Sequence, residues 1–380
     1  MDLTQVKESN NIKFGCYIYQ GGLTYKDIVH IALECERLGY DSIWLKDNYI
    51  PWIQDYLVSH LNNNANIRKL TKNKYTEHQK QIQLLQLQQL QEQNESSRTM
   101  LECWTVLSSL VPLTRRIKLG AILVNLFRNP AIVAKMASTL DNISNGRLEF
   151  GLSAGWYQKE AEAYGAPFPS GSTRVEMLKE SVMILRKMLY SDNNNVNNKS
   201  NISFKGKYYN ISNAECNPKA VQKPHLPIWI GGGGKKTLSL VANYADGWNY
   251  GLCSFNEYLE KTSILKQYFD INNNNDNNTK VIARRYQDII RGLHCILLLG
   301  RDEKELKKRR IKLLDKKREW RDSNVLISGT PNRILNEITR YLKIGVTYFT
   351  IYFPDLPDTT SLKLFAEHVI PNIRNRKCCV

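Results

Sequence analysis

Four consecutive glycines, Gly231 to Gly234, have the composition and position of an anion-binding loop. They stand between a short apolar run and an amphipathic stretch, and Lys235 and Lys236 follow them. In such a loop the backbone amides and the positive end of the next helix can converge on a phosphate. The loop is not GxGxxG and lacks the GKS or GKT ending, so a tight turn is the alternative interpretation.

Asp47 and Asn48 form a second candidate, because they lie just beyond the end of a predicted buried strand. A carboxylate there could orient a polar ring or act as a base, whereas the amide of Asn48 cannot transfer a proton at ordinary pH. The pair could also be a simple turn. Four aromatic residues near predicted strand ends could wall a planar ligand, although the first could equally belong to the core. They are Trp44, Trp156, Tyr157 and Trp248.

Familiar catalytic and metal-binding motifs are missing from the sequence. It contains no Ser-His-Asp arrangement, Walker motif or paired carboxylates, no CxxC among its 8 cysteines and no HExxH among its 6 histidines. We therefore expect reduced, buried thiols and no metal. The chemistry is predicted to belong to a cofactor that the protein binds and orients.

The stretch from 116 to 156 shows how the chain places such residues. Residues 117–124 form an apolar run of strand length, and Asn129-Pro130 supplies a helix cap and a proline at the first helical position. The helix is predicted to end at Asn145-Gly146, before a strand over 148–152 that leads into Ser153-Ala154-Gly155. This is a βαβ unit whose unusual residues follow the carboxyl ends of its strands, where α/β folds build their sites.

The same alternation over the whole chain predicts a (β/α)8 TIM barrel in a single domain, residues 1–380. Helices are predicted over 24–38, 102–113, 173–189 and 237–244. The other strands are predicted at 12–19, 41–45, 226–230, 246–250, 291–299 and 347–352. Insertions are predicted after strands 2 and 4. The Gln-rich segment 50–98 could be a lid, a partner helix or a polar insertion without function, and 191–201 and 272–278 are Asn-rich and predicted to be flexible loops.

The chain is strongly basic, with a formal net charge of +17. The segment 301–321 concentrates this charge, but its apolar spacing favours a surface helix with a solvated basic face. Because no nucleic-acid motif accompanies the charge, we expect a polyanionic small molecule and no nucleic-acid partner. No apolar run reaches membrane length, and the first residues lack the features of a signal peptide, so we expect a cytoplasmic protein without membrane contact.

Several stretches resemble the bacterial luciferase-like superfamily of TIM barrels, and in particular its coenzyme F420-dependent branch. They are DSIWLKDN, FRNPAIVAKMASTLDNISNGRLEFGLSAGWYQKEAEAYGAPFP, FKGKYYNISNAECNPKAVQKPHLPIWIGGGG and LVANYADGWN, which cover most of residues 12–250 in the family's order. The resemblance implies that Asp47 approaches the flavin-like ring. It also implies a non-proline cis peptide near Ile122-Leu123 that presses on this ring, a phosphate on the glycine loop, and a basic surface suited to the acidic oligoglutamate tail.

The site residues implied in this way fall into two groups. Those expected to bind the cofactor are Asp47, Ile122, Leu123, Asn125, Gly155, Gly231, Gly232, Gly233, Gly234 and Trp248. Those expected to take part in catalysis are Asp47, Asn48 and Trp156. The sugar-phosphate dehydrogenases of this branch carry His and Glu where this chain has Asn48 and Trp156, which argues against sugar-phosphate oxidation.

The resulting expectation is an F420-dependent oxidoreductase that transfers a hydride between the deazaflavin and a small organic substrate. One alternative is an FMN-dependent monooxygenase of the same superfamily, using reduced flavin and oxygen. Another is a cofactor-binding protein without catalysis. A homodimer is compatible with the resemblance, because family members are often dimers.

Overall fold

Eight parallel strands close into a barrel, which confirms the predicted (β/α)8 architecture. The structure is a computed structural model that describes residues 12–51, 99–190, 201–275, 284–316 and 325–375. The barrel strands pair in the order β1-β2-β3-β4-β7-β8-β9-β11, and β11 pairs with β1 to complete the ring. They are β1 (Lys13–Ile18), β2 (Ser42–Lys46), β3 (Lys118–Val124), β4 (Leu148–Ser153), β7 (Ile228–Gly231), β8 (Gly247–Gly251), β9 (Ile290–Leu299) and β11 (Tyr348–Tyr352).

Eleven helices are described, and most of them surround the barrel. They are α1 (Tyr25–Arg37), α2 (Cys103–Leu110), α3 (Pro130–Ile143), α4 (Gln158–Ala163), α5 (Gly171–Leu189), α6 (Lys235–Tyr244), α7 (Phe255–Asn275), α8 (Glu303–Lys316), α9 (Pro331–Lys343), α10 (Thr360–His368) and α11 (Ile370–Arg374). In the parts of the chain given above, no helix combines the length and the apolar character needed to cross a bilayer.

Local sequence signals set the ends of α3 as predicted. The Asn129 side chain accepts a hydrogen bond from the Ala131 amide, and Pro130 occupies the first helical position. After the helix, Asn145 and Gly146 take φ values of 55° and 79°, the left-handed conformation that those two residue types tolerate best. The turn therefore brings the chain directly into β4.

Alternation of side chains along the strands fills the lower interior of the barrel with large rings. Trp44, Trp229 and Tyr348 pack together there, and the indole of Trp229 donates a hydrogen bond of 2.9 Å to Glu149 Oε2. Neighbouring strands carry glycine beside these rings, since a Cβ on Gly120 would lie 2.5 Å from the Trp44 ring. The barrel is thus a packed core below its carboxyl end.

Three strands were not predicted from the sequence. β5 (Asn201–Lys205) and β6 (Asn210–Glu215) form an antiparallel ribbon, and β10 (Leu326–Gly329) pairs with β9 outside the barrel. All three are short, and their burial is mixed, so they lack the continuous apolar runs that marked the barrel strands.

Most of the predicted insertions lie outside the described residues. This applies to 52–98 of the Gln-rich segment and to 191–200 of the first Asn-rich loop. The bounds of both predicted Asn-rich loops need correction. Asn201 begins β5 and is not part of the first loop, and the residues from 272 to Asn275 belong to α7 and not to the second. The Asn residues there continue the helix that starts at Phe255, because intrinsic preference is a weak constraint once a long helix has formed.

We predict that Trp229→Ala destabilises the protein by about 3–5 kcal/mol, because it empties the barrel interior and leaves the Glu149 carboxylate without its indole donor. Trp156→Ala is the matched control, since that indole is 39% exposed and should cost about 1 kcal/mol or less. Chemical denaturation of both variants measures the difference. Equal losses would show that the interior ring contributes no more than the surface one.

Candidate active site

A cavity of about 410 Å³ opens at the carboxyl ends of the barrel strands. Inward-facing residues of most barrel strands form its floor, and loops after β4, β7 and β8 form its walls. The lining residues are Tyr17, Trp44, Leu45, Lys46, Ile122, Ser153, Ala154, Gly155, Trp156, Gly171, Arg174, Val175, Gly231, Gly232, Gly233, Gly234, Thr237, Asn249, Tyr250, Gly251, Leu252, His294 and Thr350. The cavity therefore combines aromatic surfaces, a glycine loop and a few polar side chains, as small-molecule sites do.

The glycine loop forms one end of this cavity. β7 ends at Gly231, and α6 begins after Gly234, which is the N-cap residue and provides no side-chain hydrogen bond to the helix. Backbone amides in the first turn of a helix have no partner within the helix, so an uncapped end offers donors to an anion. A Cβ at position 233 would lie 2.4 Å from the Tyr250 ring, which explains the requirement for glycine there.

Two contacts from β8 hold this loop in place. The Trp248 indole donates a hydrogen bond of 2.8 Å to the carbonyl of Gly232, and the Gly232 amide donates one of 3.1 Å to the carbonyl of Asn249. Gly232 has a φ of 127°, a conformation that side chains rarely adopt. Trp248 is fully buried and does not line the cavity, so it supports the loop from behind.

Positive charge gathers at the same end. Arg174 of α5 lines the cavity, its guanidinium lies 3.8 Å over the Phe168 ring, and its Nε donates to the carbonyl of Gly155 at 3.2 Å. Lys235 and Lys236 are exposed at the start of α6, and the latter donates to the Ser172 hydroxyl at 2.6 Å. An anion on the glycine loop would lie in a favourable field.

His294 and Lys46 supply the polar groups of the cavity floor. The Nδ1 of His294 lies 3.0 Å from the carbonyl oxygen of Thr350, and its ring centroid is 4.4 Å from that of Tyr17. Burial, followed by the Lys46 ammonium, lowers the pKa of His294 to about 3. The imidazole is therefore neutral, with Nδ1–H donating to Thr350.

Five of the predicted site residues do not line the cavity. They are Asp47, Asn48, Leu123, Asn125 and Trp248. The structure brings the others together, namely Ile122, Gly155, Trp156, Gly231, Gly232, Gly233 and Gly234. The glycine loop and the residues after β4 thus line the same cavity, as their positions at the carboxyl ends of neighbouring strands predict.

Asp47 is fully buried and forms an ion pair with Arg128. Its carboxylate accepts two hydrogen bonds from that guanidinium, at 2.8 and 3.0 Å, and one of 2.7 Å from the Val124 amide. Burial lowers the pKa of the Arg128 guanidinium, but the carboxylates of Asp47 and Glu102 have the larger combined effect. The pKa is therefore raised above its usual value. These contacts tie the end of β2 to the end of β3, and contact between Asp47 and a ring stays a prediction.

Asn48 contacts another buried carboxylate, that of Glu160 in α4. Its Nδ2 donates a hydrogen bond of 2.7 Å to Glu160, which also accepts from the amides of Tyr49 and Ile50 at 2.7 and 3.2 Å. Burial raises the pKa of the Glu160 carboxyl, and the three donors oppose this rise. The contacts fix the chain just after β2, and a catalytic role for Asn48 stays a prediction.

Leu123 and Asn125 lie on the far side of the β3 end. The Leu123 side chain is in the core between barrel and helices, whereas Asn125 donates to the Tyr209 hydroxyl at 3.2 Å. The prediction of a non-proline cis peptide near Ile122-Leu123 is wrong, because every cis peptide among the described residues precedes a proline. β3 pairs with β4 in continuous register from Leu119 to Val124, so the regular sheet leaves no bulge at this place.

Sequence reasoning missed Lys46, His294, Arg174 and Tyr17 as cavity residues. The signal for Lys46 was the period of two along β2, since it lies two residues after the inward-facing Trp44. His294 lies inside a predicted strand that was treated as apolar. Arg174 belongs to a helix whose approach to the cavity depends on the tertiary structure.

A second cavity, of about 520 Å³, lies at the opposite end of the barrel. Four of its six charged side chains form ion pairs, Lys13 with Asp41 at 3.2 Å and Lys118 with Glu149 at 2.9 Å. In TIM barrels the amino-terminal face serves stability. The carboxyl-end cavity is therefore the candidate active site.

Comparison with known proteins finds a family and a relative that this chain resembles. Residues 86–266 match the profile of the family described as luciferase-like monooxygenase. An F420-dependent glucose-6-phosphate dehydrogenase from Amycolatopsis mediterranei (strain U-32) is 22% identical over 382 residues, which cover 92% of this chain and 95% of that protein. The matched part of the chain is therefore similar to the luciferase-like family. The predicted resemblance to this superfamily is thereby confirmed.

Several solved structures share the architecture of this chain. An F420-dependent secondary alcohol dehydrogenase in complex with an F420-acetone adduct superposes with a TM-score of 0.67 at 18% identity, covering 96% of this chain and 99% of that one. The riboflavin lyase RcaE with modified FMN superposes with a TM-score of 0.72 at 14% identity, covering 97% and 92%. At such identities the likeness shows the fold.

We predict that the Asp47 and Arg128 substitutions are strongly coupled. Arg128→Met should destabilise the protein by about 3–5 kcal/mol, because it leaves the buried Asp47 carboxylate without its cation. Asp47→Asn should cost less, because the Arg128 guanidinium keeps its ion pair with Glu102 at 2.8 Å. The double variant should lose clearly less than the sum. Urea unfolding of all four proteins gives the coupling energy, and additive losses would contradict a mainly structural ion pair.

Proposed function

We propose that this protein is an oxidoreductase that binds coenzyme F420 in the carboxyl-end cavity and transfers a hydride between the deazaflavin and a small organic substrate. The observation that carries the proposal is the uncapped glycine loop at one end of a cavity walled by aromatic side chains. This arrangement suits a ligand with a phosphate at one end and a planar ring at the other. The F420-dependent curated relative, similar over nearly its whole length, favours F420 as that ligand.

The residues present fit such a group. The amides after Gly231 and the nearby Arg174 would hold the phosphate, and a Cβ at position 231 would lie 3.3 Å from Ile122, so glycine keeps this passage open. The flat rings of Trp156, Tyr250 and Tyr17 offer surfaces for a tricyclic ring system. The exposed lysines and the net charge of +17 would attract an acidic tail.

When bound, the deazaflavin supplies the hydride donor or acceptor. The protein's part is to hold substrate and cofactor in contact and to exclude water. Two features of the chain serve this part: the tight floor of Tyr17, His294 and Thr350, and the ion pair behind β2 and β3 that fixes the strand ends. Neither Asn48 nor Trp156 can exchange a proton at neutral pH, so a sugar phosphate is not the substrate we propose.

Titration of the purified protein with F420 and, separately, with FMN tests the cofactor. Micromolar binding of F420, followed by changes in its fluorescence, is expected. Binding of reduced FMN with no binding of F420 would instead favour the flavin-dependent monooxygenase. Tight F420 binding without turnover of any alcohol, imine or enone would favour the non-catalytic alternative.

We predict that Gly234→Asp weakens F420 binding by at least about 100-fold while leaving the fold as stable as before. Gly234 has φ −69° and ψ 147°, which any residue can adopt, and a Cβ there would meet only the Thr237 hydroxyl at 3.7 Å. Asp is a preferred N-cap, so the helix should gain slightly in stability. The added carboxylate would repel a phosphate from the same amides.

Gly234→Asn is the matched control for that variant. Asn has nearly the same shape and caps helices as well as Asp does, but it carries no charge. Its effect on F420 affinity should be much smaller than that of Asp, with equal melting temperatures. If both variants bind F420 as the wild type does, the phosphate does not lie on the glycine loop.

A further inference from the structure

Lys46 is an unusual residue for the interior of a barrel, because it is a long cationic side chain on the inward face of β2. It lies two residues after Trp44, which packs with Trp229 and Tyr348 inside the barrel, so its side chain points to the same side. The cavity lining includes Lys46. Its backbone is held by Gln20, which donates to the Lys46 carbonyl at 2.8 Å and accepts from its amide at 3.0 Å.

Of the described residues that line the cavity, few can deliver a proton at neutral pH. His294 is neutral and its Nδ1–H is directed at Thr350, whereas burial raises the pKa of Tyr17 well above its usual value. Arg174 lies at the glycine-loop end and does not release its proton. Of these four groups, Lys46 is the one whose side chain carries an acidic hydrogen that it can also release within the cavity.

The surroundings of Lys46 adjust its acidity. Burial lowers the pKa of its ammonium from 10.5, and Glu160, Asp47 and Cys103 oppose this decrease. His294 also lines the cavity floor, and the charge of Lys46 contributes to the lowered pKa of its imidazole. A lysine whose pKa is lowered by burial is better suited to give and take a proton than an exposed one.

We propose that Lys46 is the catalytic acid and base of this protein, acting on the oxygen of a substrate that is a ketone or aldehyde in one direction and an alcohol in the other. The proposal rests on the proposed function. In carbonyl reduction, a hydride from the reduced deazaflavin forms the new C–H bond, the C=O π bond breaks, and an Nζ–H proton passes to the oxygen. In alcohol oxidation the same atoms move in reverse, with neutral Lys46 taking the hydroxyl proton.

His294 would position the same oxygen-bearing group. Its Nε2 has no hydrogen bond with any residue that the structure describes, and its neutral state makes this nitrogen an acceptor. A hydroxyl on the substrate could donate to it while Lys46 contacts the reacting oxygen. In this proposal Lys46 would take over the proton transfer for which the sugar-phosphate dehydrogenases carry His and Glu at the positions of Asn48 and Trp156.

The first test measures single-turnover hydride transfer, followed by deazaflavin absorbance, with a panel of ketones, aldehydes and their alcohols. Lys46→Met should lower the rate by about 10²–10⁴-fold. The dissociation constant for F420, measured by fluorescence, should stay within about twofold of the wild-type value. Lys266→Met, an exposed lysine on α7, is the control and should leave both unchanged.

The pH dependence separates a proton-transfer role from a structural one. Because the donor is protonated Lys46, carbonyl reduction should slow as pH rises through its folded pKa, and alcohol oxidation should accelerate over the same range. Lys46→Arg keeps the charge but cannot release a proton, so this dependence should vanish. NMR titration of ¹³C-dimethylated lysines, with the Lys46 signal assigned by its loss in Lys46→Met, should give the same pKa as the wild-type rate profile.

Two results would overturn the proposal, and they are distinguishable from failure of the proposed function. Lys46→Met transferring hydride at the wild-type rate would remove Lys46 from the chemistry while leaving the cofactor assignment intact. A persistent alkaline limb in Lys46→Arg would assign the titration to another group. A wild-type protein that binds no F420 would overturn the proposed function itself, and the Lys46 proposal with it.

Discussion

Two indole rings fill the interior of the barrel and thereby set the depth of the cavity above them. Trp44 and Trp229 lie with their ring centroids 5.7 Å apart and nearly perpendicular, at 82°, and both contact the Tyr348 ring. Glycines on adjacent strands make room for them, as at Gly120 and Gly247. Because protein interiors are close-packed, the next inward-facing layer is the first that can leave space for a ligand. Lys46, Ile122 and His294 belong to that layer.

Sequence periodicity was sufficient to predict the barrel, since its strands are continuous apolar runs between clear helix signals. The same reasoning located the glycine loop and Gly155 at strand ends, where the cavity lies. It could not predict that Asp47 pairs with Arg128, because this contact joins two loops separated by 81 positions in the chain. Neither could it show that Ile122 faces the cavity while Leu123 faces the helices, although both follow from the alternation of β3 once its register is known.

The charged groups near the end of β2 divide into structural and accessible ones. The carboxylates of Asp47 and Glu160 are buried, and each accepts three hydrogen bonds that connect strand ends or loops. Lys46, one residue earlier, points to the other side of the strand and lines the cavity. The carboxylates of Asp47 and Glu160 thus lie behind the cavity wall, whereas the Lys46 side chain lies on the cavity side.

If the proposed function holds, the uncapped start of α6 links ligand supply to the lifetime of the folded protein. Without a side-chain cap, the backbone donors after Gly234 depend on water or on a ligand for their hydrogen bonds. A ligand that binds there only in the folded state adds about 2.7 kcal/mol of stability when its concentration is 100 times its dissociation constant. In a cell that runs short of the ligand, the protein would lose this contribution and be degraded sooner, so that its abundance would follow the supply of the molecule it binds.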